Sequence, residues 1–154
     1  MKVIKPEQVG SYLQAAAARN VLPMFFLELT SGLRKGELLA LLWGDLDIEK
    51  HSISVTKSVS RRDGVLEVSP PKTRHSIRNI IIPQQAVDLL IQEHNKRQNN
   101  PYLFPSPLTG KMYHPDSVVN LHKKILKDAG LEHLRFHDLR HPYVKHTTKN
   151  KSLQ

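Results

Sequence analysis

The apolar period changes twice along this chain, and the stretch between the two changes restricts the fold most. From Ser52, the residues Ile53, Val55, Lys57 and Val59 alternate with small polar residues, a spacing of two that belongs to a strand. Asp63-Gly64 then supplies two residues that tolerate positive φ, the chemistry of a two-residue hairpin turn, before "VLEVS". After Pro70-Pro71 comes "KTRHSIRNIIIP", whose β-branched end predicts a third strand with Lys72 and Arg74 near its entrance. A small antiparallel sheet of three strands follows from this order.

Helical spacing stands on both sides. Val9, Tyr12, Leu13 and Ala16 fall at i, i+3, i+4 and i+7, with Pro6 available as a first-turn residue. The apolar run "VLPMFFLELTSGLRKGELLALLW" is interrupted at Ser31 and Gly32. That predicts two buried helices joined by a tight turn, with Arg34 at the start of the second. Val87, Leu90, Ile91 and His94 share one helical face, and "PDSVVNLHKKILKDAG" reads as a further helix stopped by Gly130. Between these two lies the proline-rich loop "NNPYLFPSPLTGKMYHP". The fold class expected is α+β: a mainly helical single domain with a small three-stranded antiparallel sheet.

The chain has 154 residues, enough for one domain with its own core. Lysine and arginine number 23 against 14 acidic residues, a formal charge of +9. A polyanionic partner fits this balance, nucleic acid before membrane, and a solvated basic surface stays open as the plainer alternative. With no cysteine there is no disulfide or thiol chemistry, which agrees with a reducing cytoplasm. The N-terminus has no apolar leader core, and no run approaches the ~18 apolar residues of a membrane span.

Arg34 in "SGLRKGEL", Lys72 in "PPKTRHS", and His137 with Arg140 in "HDLRH" are the polar groups that could carry chemistry. Each has a plain reading. An arginine at a helix start is commonly a surface residue, a lysine beside a hairpin is commonly solvated, and a histidine three residues before an arginine needs only a shared helical face. Taken in order, however, they resemble the catalytic domain of the tyrosine recombinase (phage integrase) family. The resemblance runs from about Lys5 to His141 and includes the supporting text "ELLALLWGDLDIEKHSISV".

That resemblance implies roles. Breaking a DNA phosphodiester without a metal adds negative charge to the phosphoryl oxygens, and the guanidiniums of Arg34 and Arg140 would neutralise it through paired hydrogen bonds. Lys72 would protonate the leaving 5′ oxygen as general acid. His137 would hydrogen-bond the phosphate or help move a proton. Glu37, one turn beyond Arg34, would buttress the arginine and histidine side chains, and a first-turn acid favoured by the helix dipole is a compatible plainer reading. His141 would support the same group. Residues 1–141 are then expected to be part of a catalytic domain and 142–154 a divergent tail.

In the family, a further helix, a second histidine or tryptophan, and the attacking tyrosine follow the H-x-L-R-H segment, and this sequence reaches Gln154 without them. None of the four tyrosines is assigned as nucleophile: Tyr12 and Tyr102 read as core or loop residues, Tyr113 precedes a helix, and Tyr143 is a packing residue. The 154-residue chain is therefore expected not to cleave by itself. Pro142 and the apolar-poor stretch from Lys145 to Ser152 predict a frayed end. Double-stranded DNA is the expected partner, with no metal, cofactor or nucleotide and no membrane. The chain is expected to be a monomer in solution, although the family assembles as tetramers on DNA.

Three other readings remain. His133, His137 and His141 recur at four-residue spacing and could line up as zinc ligands, but no acidic partner at metalloprotease spacing accompanies them. A non-catalytic DNA-binding remnant would bind through phosphates with steep salt dependence. A type IB topoisomerase-like enzyme shares the chemistry.

Overall fold

A computed structural model describes residues 3–71, 76–97 and 99–139. The chain divides into two compact units, one formed by residues 1–33 with 116–154 and the other by residues 34–115. In chain order the elements are α1 (Pro6–Ala18), α2 (Leu22–Ser31), α3 (Lys35–Leu39), β1 (Leu46–Asp47), β2 (Ser52–Val55), β3 (Ser58–Arg62), β4 (Val65–Ser69), β5 (Arg78–Ile81), α4 (Gln84–Asn95) and α5 (Pro115–Asp128). The α+β class is as expected. Among the described residues no helix is long and apolar enough to cross a membrane.

In the first unit α1 starts with Pro6 in its first turn, where the missing N–H costs nothing. Of its predicted stripe Tyr12 and Ala16 are buried and Val9 and Leu13 half-buried, and Ala15 is buried beside them. Tyr12 meets Phe25 of α2 edge-on, with centroids 6.0 Å apart, and Phe25 meets Phe136 in the same way at 5.9 Å. These edge-to-face contacts suit the ring quadrupoles and bury large apolar area. Val118, Ile125 and Leu126 supply the buried face of α5. Helix α2 ends at Gly32, whose φ of 73° is the left-handed conformation that glycine adopts without strain.

In the second unit β2 is the central strand of an antiparallel sheet ordered β1-β2-β5, with Leu46 opposite Ile53 and Ile53 opposite Ile80. The hairpin β3-β4 is a separate two-stranded ribbon turning at Asp63 and Gly64, which take φ of 53° and 80°. Both values belong to the hairpin turn that an Asp-Gly pair favours. The three-stranded sheet is thus present with a different membership. It takes in the two-residue strand β1, and the alternation read as one strand from Ile53 to Val59 changes partner at Thr56-Lys57, pairing with β5 before and β4 after. Side-chain alternation reports which face is buried, and Ile53, Val55 and Val59 are all buried as it requires. It carries no information about which strand lies alongside. The break coincides with an ion pair of 2.9 Å between Lys57 Nζ and Asp45 Oδ2.

Candidate functional site

The segment from Gly32 to Glu37 sets the position of Arg34. Leu33 is fully buried, and Arg34 is the extended N-cap residue of α3 with ψ of 151°. Its backbone N–H donates to Glu37 Oε1 at 3.0 Å, closing the helix start with the acid three residues on. A guanidinium has no acceptor, so the reciprocal half of a capping box cannot form, and the Arg34 side chain is left exposed. It makes no hydrogen bond to another described residue.

Glu37 itself is buried, with 4% of its surface exposed. A buried carboxylate is costly unless paired, and the partner is Arg78 of β5. Arg78 Nη1 donates to Oε2 at 2.9 Å and Nη2 to Oε1 at 3.1 Å, a two-pronged guanidinium–carboxylate fork. Arg78 Nη1 also donates to the Ser76 carbonyl at 2.9 Å. Burial pushes the Glu37 carboxyl up, but the Arg78 hydrogen bonds, the Arg34 N–H and the charges of both arginines outweigh it and hold the group below the ordinary carboxylate range. The same fork raises the Arg78 guanidinium.

Arg34 and Glu37 line a cavity of about 490 Å³ together with Ser58, Ser60, Ser69 and Ser76. Hydroxyls and a guanidinium facing one space form a set of donors suited to an oxyanion. The wall opposite α3 is close because Gly36 has no side chain. A Cβ there would strike the Val59 carbonyl oxygen and lie 2.6 Å from Ser58 Oγ. The hairpin can approach the start of α3 only with glycine at this position.

In the first unit the turn Phe136–Leu139 carries His137. Phe136 and Leu139 point inward and are buried, and His137 is exposed between them. Asp138 is buried and accepts from Arg135 Nε at 3.1 Å and Nη2 at 3.3 Å, which holds its carboxyl below the ordinary range. His122 anchors the approach to this turn. Its Nε2 donates to the Leu134 carbonyl at 2.5 Å, and since a carbonyl only accepts, Nδ1 is left to accept from the Tyr12 hydroxyl at 2.8 Å. Tyr12 is the core residue expected of it, whereas Tyr102 and Tyr113 are half-buried in the loop before α5.

Arg34 and Glu37 therefore share one site, and His137 sits on an exposed turn of the other unit. Lys72, Arg140 and His141 lie outside the described residues, as do Arg74, Tyr143 and the tail 142–154. Two residues of the described site were not singled out from the sequence. Arg78 carried a signal: it falls on the same alternating face as Ile80 and the buried Ile82, and a charge on an inward face needs a partner. Gly36 carried none, because the close approach it permits is made by a strand more than twenty residues away.

A family model described as "Phage integrase family" matches residues 2–152. Among curated relatives, the chain is 31% identical to the ICEBs1 integrase of Bacillus subtilis (strain 168), over 94% of this chain and 42% of that protein. It is 29% identical to a tyrosine recombinase XerC-like protein of Caldanaerobacter subterraneus subsp. tengcongensis, over the same shares. The chain thus spans less than half the length of these relatives. Among solved structures, the Tn1549 transposon integrase in complex with a circular intermediate DNA superposes with a TM-score of 0.82 at 20% identity, over 99% of this chain and 56% of that one. The XerA recombinase does so with a TM-score of 0.78 at 20% identity, over 97% and 50%. These two likenesses concern the fold.

Proposed function

Because this chain belongs to the phage integrase family, we propose that it is the phosphate-binding part of a site-specific DNA recombinase's catalytic domain. The observation that carries this reading is the state of Arg34. Its guanidinium is exposed at a serine-lined cavity, and the nearest acid is already held by Arg78. A guanidinium presented this way can donate two parallel hydrogen bonds to the non-bridging oxygens of a backbone phosphate, with serine hydroxyls as further donors. The charge of +9 adds long-range attraction to a polyanion. Double-stranded DNA is the proposed partner, and a circular intermediate DNA is the partner in the Tn1549 integrase complex.

In this reading Arg34 and Arg140 neutralise the charge that builds on the phosphoryl oxygens, Lys72 protonates the departing oxygen, and His137 bonds the phosphate or relays a proton. Glu37 holds the Arg34 backbone, and His141 supports the group. Residues 1–141 form the portion of the catalytic domain that this sequence contributes. Strand cleavage and rejoining are activities of the recombinase as a whole.

Binding of a mixed-sequence DNA duplex by the 154-residue chain, read by fluorescence anisotropy across a salt series, tests this. Each phosphate contact adds about 0.9 to the slope of log affinity against log salt. Arg34→Ala is expected to weaken binding about tenfold and flatten the slope by about one, while Lys50→Ala, away from the cavity, changes affinity less than about threefold. Equal effects of the two substitutions would count against the reading.

A further inference from the structure

Arg78 is anchored on β5, opposite Val55 of the central strand, and spends three of its five N–H donors on Glu37 and the Ser76 carbonyl. Glu37 is a buried anion whose Oε1 also accepts the Arg34 N–H, and its charge and that of Arg34 act on one another. Without Arg78, the group best able to satisfy this carboxylate would be the guanidinium of Arg34. That group would then be lost to any external anion, since a carboxylate and a phosphate compete for the same fork of donors. We infer that Arg78 is a positioning residue that sequesters the Glu37 carboxylate and so keeps the Arg34 guanidinium available for a backbone phosphate.

This inference rests on the DNA-phosphate reading above. It goes further by assigning a role to a residue that touches no phosphate in the scheme. The contact with Ser76 extends that role to the chain leaving residues 72–75, because the same guanidinium ties that exit to the start of α3.

Arg78→Met keeps the stem of the side chain and removes its charge. In the same anisotropy assay it is expected to weaken DNA binding about tenfold and to flatten the salt slope by about one, as Arg34→Ala does. Adding Glu37→Gln removes the competing charge and is expected to restore affinity to within about threefold of wild type, along with the slope. A purely structural defect would lower affinity by reducing the folded fraction and leave the salt slope of Arg78→Met at its wild-type value, and a direct Arg78–phosphate contact would stay lost in the double variant. Either result overturns the inference. Should the methionine variant fail to fold, Arg78→Lys serves: it keeps the charge but gives up the fork. Its expected loss is about threefold, again relieved by Glu37→Gln, and a lysine variant indistinguishable from wild type overturns the need for the fork. If Arg34→Ala itself leaves affinity and slope unchanged, the phosphate reading fails rather than the role of Arg78.

Discussion

His122 shows how much one buried ring can commit a chain to a pH range. Burial, partly offset by the bond to the Leu134 carbonyl, lowers its pKa to about 4. An unfolded histidine titrates near 6.5, so between those values the unfolded chain binds a proton that the folded chain refuses. Stability therefore falls as pH drops from about 6.5 towards 4, by at most ~1.4 kcal/mol per pH unit and on the order of 3 kcal/mol in all. Glutamine can donate to Leu134 and accept from Tyr12 without titrating. His122→Gln is expected to make the urea midpoint much less sensitive to a change from pH 7 to pH 5, and an unchanged sensitivity would show that other groups cause the loss. Glu37 acts further down the scale and in the same direction. Its depressed carboxyl contributes stability above its unfolded pKa, and that contribution is lost as pH falls through the folded value.

At the scale of elements, the contact between α3 and β3 depends on one missing methyl group. In Gly36→Ala the new Cβ meets a backbone carbonyl rather than the end of a flexible side chain, so the hairpin has to move. Overpacking of this kind costs about 1–3 kcal/mol. Thermal melting should show the loss, and DNA affinity should fall with it because Ser58 and Ser60 line the cavity beside Arg34. A variant that melts normally but binds poorly would mean that the hairpin shifts without unfolding.

The same elements show what the sequence could reveal. Helices α1, α2, α4 and α5 and the hairpin turn were readable because their signals are local: a 3.6 period, a first-turn Pro6, an Asp63-Gly64 pair, a Gly130 stop. The break at Ser31-Gly32 likewise placed Arg34 at a helix start before any contact was known. The change of strand partner at Thr56-Lys57, the short β1 and the Glu37–Arg78 fork were not readable. Each depends on residues that meet only after the chain has folded back on itself.

Over the whole molecule, the two units differ in how the chain builds them. Residues 34–115 are one continuous stretch, whereas the other unit is closed from 1–33 and 116–154 across that insertion. The continuous stretch contains its own sheet, the helix α4 and buried residues from several elements, among them Leu38, Ile53, Val55, Ile82, Val87 and Leu90. Such a stretch can fold on contacts made within itself, while the divided unit must bear the entropy of closing a long loop before its two pieces meet. A fragment of residues 34–115 is therefore expected to give a strand signal in far-UV circular dichroism and slowed hydrogen exchange at the amides of β2, whose two sides are both paired. The pieces 1–33 and 116–154 mixed as peptides are expected to show neither protection nor a cooperative melt. A fragment 34–115 that exchanges all its amides at the rate of an unfolded chain would mean that the burial of Ile53 and Val55 depends on residues outside the stretch, and the separation into self-sufficient units would have to be abandoned.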